Sequence, residues 1–190
     1  MLLFFYYYVE VTVVIFERNK YYFNILITII LFILLMFLAF QKSGSQLSVI
    51  VVTGLLSIIL LLISQSDIKG NLIPNLYIVL LFVPIIIEII FVGTVSNTER
   101  LVGFLFMAIP LTTVKMIKPN GIGGGDIKLL ALSGLLLGYD VIAALLIGSI
   151  LAGVVNIFLL IIGKVKRNQR CWVGPYYAIG IWYCYVYMLR

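Results

Sequence analysis

Only seven acidic residues occur in this chain of 190, and four of them, Glu10, Asp67, Glu88 and Asp126, lie within or at the edges of apolar runs. An ionisable side chain there is costly and usually has a task. Asp67 closes an apolar stretch in the run Ser-Gln-Ser-Asp-Ile-Lys-Gly-Asn-Leu-Ile-Pro-Asn, residues 64–75. Pro74 is suited to open a helix, so Asp67 is predicted at a tight helix-to-helix turn. Asp126 follows Pro119-Asn120-Gly121-Ile122-Gly123-Gly124-Gly125 and precedes the apolar run Leu129 to Gly138. Glycines at 123–125 let another backbone approach closely. From Asp126 to Gly138 is 13 residues, roughly 20 Å of helix and short of the hydrocarbon width, which draws Asp126 inward from the surface. Two such carboxyls brought together in a low-dielectric site share one proton, because repulsion opposes ionising both. The ionised partner then activates water and the protonated one polarises a scissile carbonyl, which is the chemistry of aspartic peptide-bond hydrolysis.

Other hydrolase chemistries lose their parts. The chain has no histidine and two cysteines, Cys171 and Cys184, too far apart for a CxxC pair, so HExxH zinc sites and Ser-His or Cys-His nucleophiles are excluded. Neither a metal, a cofactor nor a disulfide framework is called for. The formal charge of +6 is spread through short loops, which fits attraction to anionic membrane lipid rather than to nucleic acid.

The elements that must hold the aspartates are membrane helices. The chain is 64% hydrophobic and 11% charged with a mean hydropathy of +1.23, and no stretch is polar enough to clothe a soluble domain. Apolar runs near residues 1–16, 22–40, 47–64, 74–93, 100–116, 126–138, 140–163 and 174–189 predict a single all-α domain of about eight transmembrane helices. The first run lacks the basic start and cleavage site of a signal peptide and is expected to be retained. It is short and carries Glu10, so seven spans, with that segment lying on the surface, is the alternative, and six the lower bound. With the N-terminus outside, ten basic residues fall in inner loops: Arg18, Lys20, Lys69, Lys115, Lys118, Lys128, Lys164, Lys166, Arg167 and Arg170. Only Lys42, Arg100 and Arg190 fall outside. By the positive-inside rule this puts Asp67 and Asp126 on the cytoplasmic face of a cell membrane.

Three segments carry a family resemblance. Gly123-Gly124-Gly125-Asp126 fits the GxGD motif of intramembrane aspartic peptidases, and Ile127-Lys128-Leu129 resembles its continuation in the type IV prepilin peptidases. Asp67-Ile68-Lys69 followed by Ile73-Pro74-Asn75 is similar to that family's first catalytic segment, and Gly174-Pro175-Tyr176-Tyr177-Ala178-Ile179-Gly180 to its late Gly-Pro motif. The resemblance covers residues 47–189. It implies catalytic Asp67 and Asp126, supported by Gly123, Gly124, Gly125, Lys69 and Lys128, and an enzyme that removes the basic leader of type IV prepilins or pseudopilins after a glycine at the cytoplasmic face. Many bacterial members carry an N-terminal cytoplasmic insertion with paired CxxC zinc ligands and an S-adenosylmethionine-dependent N-methyltransferase activity. The loop from Arg18 to Lys20 is too short for it, so peptidase activity without methylation is expected.

Plainer readings stand beside these. Asp67 alone could be a solvated helix end, and Asp126 alone a helix cap. Lys69 and Lys128 could serve only topology. Glu88 approaches the outer face, outside the site. Gly174-Pro175 is expected to open the last helix, and Gly148, Ala152 and Gly153 to permit close helix packing or a dimer, leaving the oligomeric state open. Competing functions are a presenilin-like or signal-peptide-peptidase-like enzyme, whose upstream aspartate follows tyrosine where this chain has Ser66, and a small transporter or proton channel using the same carboxylates. A Ser-Lys protease would need a nucleophile, and no spacing singles one out.

Overall fold

The computed structural model describes residues 47–70, 72–119, 121–163 and 172–189. These form α1 (Leu47–Gly70), α2 (Asn75–Leu80), α3 (Phe82–Ile87), a π-helical turn (Glu88–Val92), α4 (Asn97–Ile117), α5 (Gly124–Leu137), a 3₁₀ turn (Gly138–Asp140), α6 (Val141–Ile161) and α7 (Gly174–Met188). Among the described residues no strand occurs and the fold is all-α. The predicted spans at 1–16 and 22–40 lie outside the described residues.

Four helical stretches are long and apolar enough to cross a membrane: Leu47–Gly70, Asn75–Val92, Asn97–Ile117 and Gly124–Ile161. The last, taken as a straight rod of ~57 Å, would be nearly twice the hydrocarbon thickness. Gly138, at φ 58°, divides it into α5 and α6, because a left-handed backbone angle cannot continue the helix. Within Asn75–Val92 the helix falters at Leu81, where Pro84 has no N–H to return to the carbonyl of Leu80. It ends in the π-helical turn, closed by Gly93 at φ 66°.

The contacts make the legs antiparallel. At one end of α4, Gly103 meets the carbonyl of Gly138, and a Cβ on Gly134 would lie 2.5 Å from Gly103. At its other end, Lys115 reaches Gly124 at the start of α5. Similarly, α7 lies along α1, with Trp182 donating to Ser57 Oγ at 2.9 Å and Gly174 meeting Asp67. It also lies along α6, where Gly148 admits Tyr177 and Gly180 admits the carbonyl of Ala144. Gly148 thus serves the close packing expected of it, whereas Gly153 borders open space.

The central core, including Val52, Leu56, Ile63, Leu81, Leu129 and Ile181, gathers between α1, α5 and α7. Outward side chains such as Ile109 and Ile157 are exposed and apolar. In water an apolar surface of this extent would be a liability, and in a bilayer it is the solvated face. The molecule is a multi-pass membrane protein.

Candidate active site

Helix α1 does not stop with its apolar run near residue 64; it continues to Gly70. Asp67 is therefore on the last turns of the helix rather than in the turn after it, and its side chain faces inward, 6% exposed. Ser66, on the other side, bonds the Leu72 carbonyl at 2.9 Å and folds the link to α2 against the helix end. Pro74 is the N-cap of α2, in the helix-opening role predicted for it.

Asp126 is the third residue of α5. The N-cap is Gly123, with no side-chain cap bond, so Asp126 is not the cap that the plainer reading would make it. Its Oδ1 is buried and has no hydrogen-bond partner. The carboxyl feels the charges of Asp67 and Lys115, and it acts in turn on the Tyr177 phenol of α7. The two aspartates are thus brought into one electrostatic neighbourhood from α1 and α5.

What joins them is an interlock between the two motifs. A Cβ on Gly125 would lie 2.7 Å from Ile73 Cβ, so the absence of a side chain at 125 admits the Ile73-Pro74-Asn75 segment directly onto α5. One turn on, Lys128 Nζ donates to Asn75 Oδ1 at 2.8 Å. Gly123 leaves room for the aspartate itself, since a Cβ there would sit 2.6 Å from Asp126 Oδ2. Gly124 leaves room for Lys115, whose Nζ would be 2.6 Å from a Cβ at 124. Each glycine of the triplet answers a different neighbour. Lys69 is exposed on the last turn of α1, and Lys128 is held by Asn75; both border the site rather than fill it.

The Gly-Pro segment does more than open a helix. Pro175 is in the first turn of α7, as its fixed φ suits, while the Gly174 N–H donates to Asp67 Oδ2 at 2.9 Å. A Cβ at 174 would be 2.9 Å from that oxygen. A carboxylate placed on the amino end of a helix meets both free N–H groups and the positive end of the helix dipole. This contact spans 107 residues, and only the nearness of the two motifs in the fold reveals it.

Glu88 and Arg100 form an ion pair at the opposite end of the bundle, 0% and 4% exposed at their side chains. Arg100, expected from its position to lie among the outer-side residues, is buried in the first turn of α4. Its Nη1 donates to the Leu135 carbonyl at 2.8 Å and its Nε to that of Val95 at 3.2 Å. The Thr94 N–H donates to Glu88 Oε1 at 3.0 Å. Charge buried in this way survives because each group has partners.

Comparison with known proteins bears on this arrangement. A family model described as the type IV leader peptidase family matches residues 54–161, more than half of the chain and both aspartates. The chain belongs to the type IV leader peptidase family. It is 30% identical over 135 residues to the prepilin leader peptidase/N-methyltransferase of Bacillus subtilis (strain 168), an alignment that covers 68% of this chain and 52% of that protein. The chain spans about half the length of that curated relative. No solved structure matches. The family match ends before α7, so the Gly174 contact to Asp67 is a feature of this fold additional to the matched segment.

Proposed function

We propose that this chain is a membrane-embedded aspartic endopeptidase that removes the basic leader from type IV prepilins or prepilin-like proteins after a glycine, at the cytoplasmic face of the cell membrane. The observation that carries the reading is the interlock of Ile73 with Gly125 and of Asn75 with Lys128, which sets Asp67 and Asp126 within reach of each other's charge in a member of the leader peptidase family. One carboxyl is ionised and takes a proton from water; its protonated partner donates to the oxygen of the scissile carbonyl as the tetrahedral intermediate forms. The Gly174 N–H and the amino end of α7 hold Asp67 in place while this happens. A substrate whose charged leader ends where a hydrophobic helix begins fits a site at the end of the bundle, where lysines gather around an otherwise apolar interior. With two cysteines in the sequence, the paired zinc ligands that the resemblance links to methylation are not supplied by these residues.

Purified protein in detergent is given a prepilin with a basic leader, and the products are read by mass. The expected outcome is cleavage after the leader glycine by the wild type and loss of about 10³-fold or more in Asp67→Asn and Asp126→Asn, the scale on which removing an acid–base group and its electrostatic role acts. Cleavage by both variants would refute the assigned pair. A folded wild type that cleaves no prepilin would remove the peptidase reading.

A further inference from the structure

The buried face of α4 runs Arg100, Gly103, Met107 and then, half-buried, Leu111 and Lys115, the three- and four-residue steps of one helical stripe. Around its far end, Thr113, Val114, Met116 and Lys118 are all exposed. Lys115 alone among them turns inward. Its Nζ lies over the first turn of α5, 2.6 Å from where a Cβ on Gly124 would be, and Asp126 is two residues further on.

Charged and titratable groups within electrostatic reach of Asp126 come from three other helices: Asp67 from α1, Lys115 from α4 and Tyr177 from α7. On its own helix Lys128 is directed to Asn75 of α2. Lys118 lies along Gly121, outside the site. Among the described residues, Lys115 is a cation set against Asp126, from a helix that supplies neither aspartate. We propose that Lys115 is a positioning residue of the aspartate pair, its ammonium providing the counter-charge that allows one proton and one negative charge to be held there together.

A pair of carboxyls that must keep one negative charge away from water pays heavily for it unless an opposite charge lies near. The kinetic consequence rests on the peptidase reading; the titration itself does not. The experiment has two arms on the full-length protein in detergent. In the first, kcat/KM for the prepilin is followed against pH for the wild type, Lys115→Met, Lys115→Gln and Lys115→Arg, with Lys118→Met as a control. In Lys115→Met and Lys115→Gln the acid limb moves to higher pH by about one unit or more, the effect of losing an opposite charge at close range. Lys115→Arg keeps the wild-type profile, and so does the control.

In the second arm, the infrared carboxylic-acid C=O band that Asp126→Asn abolishes is titrated in the same proteins without substrate. Its midpoint moves upward in Lys115→Met and Lys115→Gln and stays in Lys115→Arg. A midpoint that does not move in folded Lys115→Met or Lys115→Gln overturns the assignment, as does a uniform loss of activity with an unmoved profile. If the wild type cleaves no prepilin but the band moves, the peptidase reading fails while Lys115 keeps its role.

Discussion

Glycine 125 carries the sharpest test at the scale of single residues. In a helix interior, Gly→Ala ordinarily stabilises by about 1 kcal/mol. Here the added carbon would lie 2.7 Å from Ile73 Cβ, a backbone-anchored atom that can yield only by moving the α1–α2 link. Gly125→Ala is therefore expected to lower cleavage about 10-fold or more by separating the aspartates, with the folded protein still recovered by size-exclusion in detergent. Gly174→Ala acts on the other carboxyl, since its Cβ would crowd Asp67 Oδ2, and a similar loss is expected. Gly153→Ala, in open space, leaves activity at the wild-type level. Comparable losses in all three variants would show that the close contacts carry no special weight.

Asp67 and Asp126 were legible as residues because an acid at the end of an apolar run is conspicuous, and because the glycines and Ile-Pro-Asn lie beside them. Lys115 was not, since a lysine near a helix end satisfies the positive-inside rule without any further role. Nothing local separates it from Lys118; only the stripe it shares with Arg100 and Met107 does.

Elements add what spacing along the chain omits. The beginnings of α2 and α7 at their prolines, and the break after Leu137, follow from backbone chemistry and were readable. The extension of α1 to Gly70 was not, because its last two turns are polar and are kept helical by what they meet, including the Gly174 N–H. The pairing of Glu88 with Arg100 was hidden for a related reason. Each residue looked like a separate charge near the outer surface, and the π-helical turn with Gly93 is what folds α4 back to bring them together. Removing one partner leaves the other buried and uncompensated, which typically costs about 3–5 kcal/mol. Arg100→Met is thus expected to lower the thermal midpoint in detergent markedly. The double variant Glu88→Leu/Arg100→Met should recover much of the loss, since a buried pair replaced by apolar groups is often neutral. No recovery would mean that the hydrogen bonds to Thr94, Val95 and Leu135, rather than charge compensation, hold the turn.

For the whole molecule, topology is the testable quantity. Contacts put Asp67, Asp126 and Lys115 at one end of the described bundle and Glu88, Arg100 and Gly138 at the other. On the proposed reading, the surplus of basic residues on loops at the first end would orient it toward the cytoplasm. In a background with Cys171 and Cys184 replaced by serine, Lys118→Cys is expected to react with a membrane-impermeant maleimide only when the cytoplasmic face is open, and Thr98→Cys only from the opposite face. Labelling of both from one side would remove the alternation, and labelling of each from the other face would reverse it. Hydropathy made the all-helical membrane class legible; by length and apolarity four stretches among the described residues qualify as spans, against the six apolar runs that fall there. The reason is physical. The legs on either side of Gly138 form one apolar continuum, and α7 has only 15 residues.

Between α4 and α5 the backbones themselves touch, Gly103 against Gly134 and Gly138. A seam built from main chain has no rotamers to turn aside and no methyl groups to compress, so it cannot loosen by degrees. Parting it would require two whole helices to separate at once, breaking the Arg100 bond to Leu135 at one end and the Lys115 approach at the other. The hairpin they form therefore moves as one rigid plate. On the proposed peptidase reading, a bulky hydrophobic segment reaching the aspartates would slip in along a boundary filled by side chains, with the α4–α5 crossing as the fixed jamb of that doorway.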